Sequence, residues 1–449
     1  MELVRPAFLI LRHFYEKPTR NLRMVLSDHL ERLGPVDNQG VTRTVYGVVR
    51  REQEIREVIK RCSQRNIDAI DLDALILLKI GIYLLIFSVS YPDHAVVNEV
   101  VDFAKSRIKT FMNANLRSVI RQREDIALMI NGFREFPIKY SISEYLIKNL
   151  EPLSQDVEED LRYLNREPNF HLRVNPLITD FEAVKERLNA AGVDFRELPV
   201  FDSFEVRALG RPVKALLNEN YVYVQNTGSQ VVAMIAEKFC REPVLDCCAA
   251  PGTKSVTLAL LRPGIKTFAC DKSPSRLKVM QKFTGSFGLD DIFICAADIR
   301  ESALKGDFNL IVADAPCTSA GTLRKNPDLK LKIDEGAVAR NAQAQLEIVE
   351  ALIPVLREGG YLLYAVCSFM KEESEDIFEK AVGAAGLEVI DLSGMLSEYG
   401  FLFRKAKWGY YLLPNPQINN DMFYLSLLKK PTRVGTVSPA YEGQRVSAF

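Results

Sequence analysis

Two cysteines that follow predicted strands are the residues of this chain best suited to nucleophilic chemistry. Cys317 ends the run Asp314-Ala315-Pro316-Cys317, after a strand predicted over 310–313, and Cys367 follows a strand predicted over 361–365. The thiolate is the reactive form, so a site must lower the thiol pKa from about 8.5 or deprotonate the thiol on binding. Because neighbouring strand ends of one sheet lie together, we expect both thiols to approach one substrate.

The other cysteines offer weaker signals. A single cysteine is more often a small buried hydrophobe than a reactive group, and we assign that role to Cys62, Cys240, Cys270 and Cys295. Cys247 lies beside a candidate ligand loop, and both roles stay open for it. None of the 8 cysteines forms a C-x-x-C pair, and the 4 histidines are not at ligand spacing from them. We therefore expect free thiols in a reducing compartment rather than a zinc site or a disulfide framework.

A loop of small residues follows the predicted strand over 244–246. It runs Asp246-Cys247-Cys248-Ala249-Ala250-Pro251-Gly252-Thr253-Lys254 and opens a helix. Small residues let a backbone approach a ligand closely, and the free N–H groups of a helix start can hold a carboxylate. The loop lacks the G-x-G-x-x-G pattern, which argues against NAD.

Two aspartates follow the next strands, predicted over 267–270 and 293–296. Asp271 is placed to accept hydrogen bonds from ribose hydroxyls, and Asp298 to lie beside a base or its exocyclic amine. Each aspartate alone could equally be a helix cap. Three neighbouring strand ends that all carry suitable groups are less often accidental, so together they favour a ligand with a ribose and a base.

The elements that position these residues alternate between strand and helix from about residue 228. Such alternation predicts a parallel, doubly wound sheet covered by helices on both faces, with the ligand at the carboxyl ends of the strands. The predicted helices span 252–261, 274–285 and 335–356.

The chain before about residue 145 has helical periodicity with few Gly or Pro. Its longest apolar run, 74–88, carries Lys79 and is too short to span a bilayer, so we expect the central helix of a small bundle. Asp93 is predicted to cap a helix that starts near Ala95. A dense basic stretch could neutralise phosphates or form a solvated helix face, and both interpretations stay open. It comprises Lys105, Arg107, Lys109, Arg117, Arg121 and Arg123.

A small α+β unit is predicted between these two parts. Residues 150–165 are acidic and polar, which indicates a linker. Short strands follow over 172–175, 198–206 and 221–224, and the capping-box spacing of Thr179 and Glu182 opens a helix over 181–191.

Composition sets broad limits on the class of protein. A chain of 449 residues is too long for one ordinary core, and its 47% hydrophobic and 26% charged residues are typical of a soluble globular protein. The N-terminus lacks the apolar region of a signal peptide, so we expect a cytoplasmic location.

Several motifs together resemble the RNA cytosine-C5 methyltransferases of the RsmB (Sun/Fmu) family, over roughly residues 5–430. The N-terminal part resembles that family's NusB-like RNA-binding domain. The matching runs in the C-terminal half are Cys248-Ala249-Ala250-Pro251-Gly252-Thr253-Lys254, Asp314-Ala315-Pro316-Cys317, Arg324-Lys325-Asn326-Pro327-Asp328, Pro354-Val355-Leu356-Arg357-Glu358-Gly359-Gly360, Val366-Cys367-Ser368 and Glu372-Glu373. Those in the N-terminal part are Val45-Tyr46-Gly47-Val48-Val49-Arg50, Pro92-Asp93-His94-Ala95-Val96-Val97-Asn98-Glu99 and Asn113-Ala114-Asn115-Leu116-Arg117.

The resemblance implies a multidomain fold. We expect an all-α NusB-like bundle over 1–145, then a linker and a small α+β RRM-like unit over 146–230. An α/β Rossmann-like class I methyltransferase domain that uses S-adenosylmethionine follows over 231–430. The remaining residues, 431–449, are expected to form a flexible tail.

The resemblance also implies residue roles. The loop of Cys248, Ala249, Ala250, Pro251, Gly252, Thr253 and Lys254 would hold S-adenosylmethionine, with Asp271 on the ribose and Asp298 near the adenine. Asp314 would line the boundary between the cofactor and the target cytosine. Cys367 would form the covalent bond to the base, and Cys317 would help to release the product. The alternative nucleophile is Cys317, because a Pro-Cys pair supplies it in the related DNA cytosine methyltransferases.

The expected reaction is methylation of C5 of a cytosine in 16S ribosomal RNA by a monomer, with no membrane partner. One alternative is the same chemistry on transfer RNA or another RNA. A second is a non-catalytic RNA-binding assembly factor. A third, a small-molecule methyltransferase, leaves the basic N-terminal part without a role.

The sequence departs from the family's usual pattern at several positions. None of these departures removes a reacting group, so we expect effects on rate and loop conformation rather than on the reaction. They are Thr253 for a common second glycine, Val366 for the threonine before the nucleophile, Thr318-Ser319 for Ser-Gly, Asn226 for aspartate and Phe283 for asparagine.

Overall fold

A computed structural model describes residues 2–17, 20–32, 37–88, 90–301, 306–382 and 386–432. The flexible tail expected over 431–449 lies, from residue 433 onward, outside the described residues. Among the helices that are described, none is both long and apolar enough to cross a bilayer.

The first part of the chain is helical, as predicted. The apolar run contributes a helix followed by a π-helical turn, Tyr83–Phe87, and that helix packs against several neighbours. Its almost uniformly buried surface confirms the predicted central position. The helices are α1 (Val4–Glu16), α2 (Leu22–Leu30), α3 (Asn38–Arg50), α4 (Glu52–Ser63), α5 (Leu72–Ile82), α6 (Asp93–Phe103), α7 (Ser106–Arg121), α8 (Arg123–Asn131), α9 (Phe136–Lys139), α10 (Glu144–Leu150) and α11 (Val157–Leu164).

Lys79, the charged residue within the apolar run 74–88, has a buried partner. Its Nζ donates to Glu52 Oε1 at 2.5 Å and lies 4.2 Å from the centre of the Tyr15 ring. The Tyr15 hydroxyl donates to the other carboxylate oxygen of Glu52 at 2.6 Å. Burial lowers the pKa of Lys79, and the ion pair with Glu52 compensates for the cost of burying a charged amine in the core.

We expect Lys79→Met to destabilise the helical part by about 3 kcal/mol, because it leaves the Glu52 carboxylate buried without its counter-charge. Urea unfolding followed by circular dichroism measures the loss. The double variant Lys79→Met/Glu52→Gln removes both charges and should recover most of the stability. If the double variant is as unstable as the single one, packing rather than charge causes the effect.

Two details of the helical part differ from prediction. Asp93 does not cap α6: the helix begins at Asp93 itself, Pro92 is the N-cap residue, and Asp93 pairs instead with Arg123 Nη2 at 2.6 Å. The segment 150–165 is not only a linker, because it contains α11. Its acidic residues face outward while Leu161 and Leu164 are buried, and composition alone does not reveal that division.

A small antiparallel sheet follows, with strand order β2-β3-β1-β4. The chain order β-α-β-β-α-β and this strand order are those of the expected RRM-like unit. The stretch predicted as one strand over 198–206 is a hairpin, and Asp180 rather than Thr179 caps the helix, accepting from Ala183 N at 2.8 Å. The elements are β1 (Phe170–Val174), α12 (Phe181–Ala190), β2 (Phe195–Leu198), β3 (Ser203–Val206), α13 (Arg211–Asn218) and β4 (Val222–Val224).

One face of this small sheet carries polar side chains that are buried against the C-terminal part. Arg173 of β1 donates to Gln230 Oε1 at 3.3 Å, and Asn419 donates to Glu205 of β3 at 3.0 Å. RNA-binding sheets of this topology stack bases on their open face. Here that face is covered, so the unit serves as a packed support for the C-terminal sheet.

The C-terminal part contains a large mixed sheet with order β11-β12-β13-β9-β8-β5-β6-β7, and β10 pairs with β13. Its strands are β5 (Val244–Asp246), β6 (Thr267–Asp271), β7 (Ile292–Ala296), β8 (Phe308–Asp314), β9 (Leu356–Val366), β10 (Glu388–Val389), β11 (Phe403–Lys405), β12 (Tyr410–Leu412) and β13 (Phe423–Lys429). Its helices are α14 (Thr227–Lys238), α15 (Thr253–Leu261), α16 (Pro274–Ser286), α17 (Glu335–Leu352), α18 (Glu375–Ala381) and α19 (Ser393–Glu398).

The predicted parallel core is confirmed, and an antiparallel extension corrects the expectation of an all-parallel sheet. Strands β7, β6, β5, β8 and β9 run parallel, whereas β13 is antiparallel to β9. The strand order reverses at β5: β6 and β7 lie on one side of it, and β8 and β9 lie on the other. The carboxyl ends of β5 and β8 therefore form the switch point where ligands bind in such sheets.

Candidate active site

The two predicted thiols meet at the carboxyl ends of β8 and β9. Cys317 Sγ and Cys367 Sγ are 3.5 Å apart. Backbone hydrogen bonds hold the loops together: Ala315 N donates to Ala365 O and Gly321 N to Cys367 O, each at 3.0 Å. A Cβ on Gly321 would lie 2.1 Å from the Met422 carbonyl oxygen, so only glycine fits beside the second cysteine.

Ser319 lies beside both thiols, a contact that sequence analysis missed. Its Oγ is 3.4 Å from Cys367 Sγ and 3.9 Å from Cys317 Sγ. The residue has φ of 60°, in the left-handed region that glycine adopts at low cost. The serine that replaces the family's usual glycine thus accepts backbone strain and brings a hydroxyl to the thiol pair.

A buried ion pair adjoins the thiols. Lys254 Nζ, at the start of α15, donates to Asp314 Oδ2 at the end of β8 and lies 3.5 Å from Ser229 Oγ. Although burial opposes its charged form, the attraction of Asp314 raises the pKa of Lys254. The site therefore holds a permanent cation and a carboxylate next to two sulfur atoms.

The two thiols have different acidities. The pKa of Cys367 is lowered by the hydrogen bond from Cys317 and, less strongly, by Ser319 and the Lys254 charge. The pKa of Cys317 is raised, because it donates to Cys367, is buried and faces the Glu373 carboxylate. Cys367 is the thiol that this environment favours as thiolate.

The Glu373 carboxylate joins the two loops that carry Cys317 and Cys367. It accepts from Thr318 N at 2.7 Å, from Thr318 Oγ1 at 2.6 Å and from Ser368 Oγ. Glu373 is fully buried, and its burial raises its pKa. Thr318 and Ser368 each lie directly after one of the cysteines, so this single carboxylate connects the two loops that carry the thiols.

The predicted cofactor loop closes against β6. Ala249 N donates to Cys270 O at 2.9 Å, and Gly252 has φ of 103° as the residue before α15. In the described structure, no side chain caps the N-terminus of α15, which leaves backbone N–H groups for a ligand. Cys247 is buried, with its Sγ 4.0 Å from that of Cys248, so the structure gives it a packing role.

Asp271 is buried at the end of β6, and both of its carboxylate oxygens are engaged. Oδ1 accepts from Ser273 N at 2.9 Å, and Oδ2 accepts from Ala250 N at 3.2 Å. Arg276 Nη1 pairs with Oδ2 at 3.2 Å, and the same guanidinium donates to Ala250 O. Asp271 thus ties the loop to the sheet, and the exposed Arg276 side chain covers it.

Asp298 follows β7 and is held by its neighbour Arg300. The guanidinium donates to both carboxylate oxygens, at 2.9 and 2.6 Å, and Arg300 N donates at 3.1 Å. These contacts lower the pKa of Asp298 to about 2, so the group is an anion at neutral pH. Asp271 and Asp298 stand at adjacent strand ends, as predicted, but each already has an arginine partner.

Asp246, the last residue of β5, carries a signal that sequence analysis did not use. Its Oδ2 accepts from Ser255 Oγ at 2.6 Å, whereas its Oδ1 is buried with no hydrogen-bond partner among the described residues. Burial raises the pKa of Asp246 to about 6. An unpartnered buried carboxylate oxygen beneath the loop suits a positively charged group of a ligand.

The helical part reaches this site through the segment that follows Gly321. Lys330 is buried and donates to Tyr140 O at 2.9 Å and Arg50 O at 3.3 Å. Arg50 donates to Arg324 O at 2.7 Å, and Leu22 N donates to Asp328 at 3.2 Å. The segment between the thiol loop and α17 is therefore clamped by residues more than a hundred positions earlier in the chain.

The remaining departures from the family pattern have structural roles. Asn226 caps α14, accepting from Gly228 N at 3.0 Å. The Thr253 carbonyl accepts from Gln225 Nε2 at 3.2 Å, Phe283 packs 5.1 Å from the Phe287 ring, and Val366 is buried in β9. None of them points a new reactive group at the thiols.

Comparisons with known proteins agree across both halves of the chain. A protein of Pseudomonas syringae pv. tomato named ribosomal RNA small subunit methyltransferase B is 29% identical, covering 87% of this chain and 89% of the relative. A protein of Coxiella burnetii named probable ribosomal RNA small subunit methyltransferase B is 28% identical, covering 86% of this chain and 90% of the relative.

Solved structures share the fold. The crystal structure of PH0851 aligns with a TM-score of 0.74 and 22% identity, covering 95% of this chain and 97% of that one. NSun6 from Pyrococcus horikoshii, solved with SFG, aligns with a TM-score of 0.54 and 18% identity over 64% of this chain and 98% of that one.

Family models match both parts of the chain. Residues 233–429, which hold the thiol pair and the loop, match the family described as 16S rRNA methyltransferase RsmB/F. Residues 7–121 match the NusB family. The chain therefore carries a methyltransferase domain of the RsmB/F type in its C-terminal part and a NusB-family domain in its N-terminal part.

Proposed function

We propose that this protein transfers a methyl group from S-adenosylmethionine to C5 of a cytosine in 16S ribosomal RNA, through a covalent bond between Cys367 and C6. The observation that carries the proposal is the thiol pair, 3.5 Å apart, beside the Lys254–Asp314 ion pair at the switch point of the sheet. Methyl transfer to most nucleophiles needs no thiol. Carbon 5 of cytosine needs one, because the ring must first be made electron-rich.

The loop residues fit the charged groups of S-adenosylmethionine, which would supply an electrophilic sulfonium methyl. The uncapped start of α15 offers N–H groups to the carboxylate of its methionine moiety. The unpartnered Asp246 Oδ1 lies at the same strand end and suits the ammonium group. Asp271 and Asp298, at the next two strand ends, are our candidates for the ribose and the adenine.

Three side chains of the thiol site activate the cytosine ring for methyl transfer. The Cys367 thiolate adds to C6, which turns the ring into an enamine-like species whose C5 is nucleophilic. Asp314 lies within the same site and is placed to hold a proton at N3 or at the exocyclic amine as charge develops. Lys254 supplies the positive charge of that site and helps to hold Cys367 as thiolate.

Cys317 acts after methyl transfer. It starts protonated, because it donates to the Cys367 thiolate and its pKa is raised. A base must remove the C5 proton before the Cys367–C6 bond can break, and we assign to Cys317 a part in this release. We further propose that the protein acts as a monomer.

Basic residues in α7 and directly beside it are our candidates for phosphate contacts. Lys105, Arg107 and Arg123 are engaged by Asp73, Asp71 and Asp93, at 2.7, 3.4 and 2.6 Å. Arg117 and Arg121 are exposed on the same helix. We therefore assign RNA contact to Arg117 and Arg121. We also propose a cytoplasmic location, which the ribosomal substrate and the free thiols support.

Replacing both Arg117 and Arg121 by alanine should weaken RNA binding for all sequences alike, because phosphate contacts carry no base information. The slope of log affinity against log salt should fall by about 2, one unit for each lost contact. The matched control is Arg107→Ala, whose guanidinium is already paired with Asp71. Filter binding measures both variants. RNA affinity unchanged in the double variant would remove α7 from the RNA surface, and an equal loss in Arg107→Ala would contradict the choice of Arg117 and Arg121.

Asp271→Ala should weaken S-adenosylmethionine binding by about 1–3 kcal/mol, by removing a ribose acceptor and the anchor of Ala250 N. Arg276→Ala uncovers the same carboxylate, so it should leave the affinity unchanged or raise it. Calorimetry on both variants separates the two roles. A loss of affinity in Arg276→Ala equal to that in Asp271→Ala would mean that Asp271 only anchors the loop.

Release of tritium from 5-tritiated cytidine in 16S ribosomal RNA tests the reaction directly, since only methylation at C5 replaces that hydrogen. We expect release that depends on S-adenosylmethionine, and bisulfite sequencing then locates the modified cytosine. Release from transfer RNA alone would favour the second RNA substrate. RNA binding without release from any RNA would favour a non-catalytic assembly factor.

A further inference from the structure

A second pair of thiols lies outside the catalytic site, on β6 and β7. Cys270 and Cys295 face each other in register across these parallel strands, and their Sγ atoms are 2.8 Å apart. Cys270 is buried, and Cys295 is half-buried. The sequence predicts that both are small packing residues, and the proposed mechanism uses neither.

We propose that Cys270 and Cys295 form a reversible disulfide on exposure to a low-molecular-weight disulfide such as glutathione disulfide, and that this bond weakens cofactor binding. Neighbouring strands lie about 4.8 Å apart, within the Cα separation that a disulfide accepts. The sulfur atoms need to approach by less than about 1 Å to reach bonding distance.

The exchange balances as two thiol–disulfide steps. The Cys295 thiolate attacks one sulfur of glutathione disulfide, forms a mixed disulfide and expels one glutathione thiolate. Cys270, deprotonated as it attacks, then displaces the second glutathione from Cys295. Overall, two protein thiols lose two protons and two electrons, and one glutathione disulfide gains them and becomes two glutathione molecules.

Acidity and exposure agree on which thiol starts the exchange. The hydrogen bond from Cys270 lowers the pKa of Cys295 to about 7, close to the value at which a thiol attacks disulfides fastest near neutral pH. The pKa of Cys270 is raised by its hydrogen bond to Cys295 and by burial. The half-buried Cys295 is thus the attacking thiol, and Cys270 resolves the mixed disulfide.

The cofactor loop is attached to this pair, and this part of the inference rests on the proposed function. Ala249 N donates to the Cys270 carbonyl at 2.9 Å, and Ala297 N donates to the Asp271 carbonyl at 3.2 Å. Drawing the two side chains together moves the strand ends that carry Asp271 and Asp298. We expect about tenfold weaker binding of S-adenosylmethionine, equivalent to the loss of about one hydrogen bond to a charged group.

Peptide mapping of the full-length protein tests bond formation without reference to activity. The reduced protein is incubated with glutathione disulfide, denatured, alkylated with N-ethylmaleimide and digested with trypsin. We expect peptide 267–272 to be joined to peptide 283–300, with the link lost after dithiothreitol. Cys295→Ser should abolish the link, whereas Cys240→Ser, which removes an unrelated half-buried thiol, should keep it.

Three results would overturn the proposal. One is a joined pair of peptides 306–324 and 358–371, carrying Cys317 and Cys367, with none between 267–272 and 283–300. Another is glutathione that stays on Cys295 without resolution. The third is a mapped disulfide with unchanged S-adenosylmethionine affinity by calorimetry. If the reduced protein binds no S-adenosylmethionine while the disulfide maps as expected, the proposed function fails and the modification site stands.

Discussion

Cys367→Ala is expected to abolish methylation and any covalent protein–RNA complex. Without this thiolate nothing adds to C6, so C5 stays too weak a nucleophile, and the rate should fall by at least about 10⁴-fold. The structure supports this choice of nucleophile, because the Ser319 hydroxyl is 3.4 Å from Cys367 Sγ and 3.9 Å from Cys317 Sγ. Methyl incorporation and denaturing electrophoresis with labelled RNA measure both losses.

Cys317→Ala should give the opposite phenotype, a trapped adduct. Addition and methyl transfer can proceed without Cys317, but release slows, so a protein–RNA band should survive denaturing electrophoresis. The variant also removes the strongest hydrogen bond that lowers the Cys367 pKa, so adduct formation should be slower at neutral pH and recover at higher pH. Cys240→Ala is the matched control, because its thiol is remote from the site and burial raises its pKa to about 11.

The alternative assignment makes Cys317 the nucleophile, and it predicts exchanged phenotypes. An adduct in Cys367→Ala with none in Cys317→Ala would overturn the assignment made here. Both alanine variants keep the contacts of Glu373 that hold the two loops, because Glu373 accepts hydrogen bonds from Thr318 and Ser368 rather than from either thiol. Both alanine variants should therefore fold alike, and circular dichroism checks that they do.

The parallel core could be predicted from the sequence because its strands, apart from the edge strand β7, are buried on both faces. Runs such as 244–246 and 310–313 are almost wholly apolar, and the loops after them hold chemically distinctive residues. The later strands β11, β12 and β13 were not predicted. Strands β11 and β12 have only three residues each, and β13 joins them to the parallel core through antiparallel pairing with β12 and β9.

The contacts that modify the site could not be predicted, because they join residues distant in the chain. The arginine that covers Asp271 lies on the next helix, and the Lys330 contacts with Arg50 and Tyr140 span hundreds of positions. Position along the chain does indicate that Asp314 and Lys254 both follow strands. It does not indicate that they pair, which depends on the reversal of strand order at β5.

The strain at Ser319 shows a different limit. A departure from glycine is visible in the sequence, but whether serine must adopt a left-handed conformation depends on the loop. The structure places it at φ of 60° with its hydroxyl among the thiols. Strained residues concentrate at functional sites, so this substitution belongs to the chemistry of the chain rather than to its folding alone.

Lys254→Met is expected to lower the rate of methyl transfer by about 10²–10³-fold at neutral pH, at saturating S-adenosylmethionine and RNA. Methionine keeps the length of the side chain and removes its charge. Asp314 then loses its partner, and Cys367 loses the nearest cation that favours its thiolate. The structure thus predicts a chemical defect at the thiol site, in addition to any loss of cofactor affinity through the loop.

The pH dependence distinguishes this electrostatic role from a structural one. The thiolate reacts, so the rate of adduct formation rises with pH until Cys367 is fully ionised. In the native protein the pKa of Cys367 lies below its ordinary value, and removing a cation that lowers it must move the rise to higher pH. Single-turnover adduct formation from pH 5 to 10 should therefore show a midpoint displaced upward in Lys254→Met and unchanged in Lys278→Met, an exposed lysine of α16. A reduced rate with an unchanged midpoint would show that Lys254 only shapes the loop, and the thiolate would then depend on Cys317 and Ser319 alone.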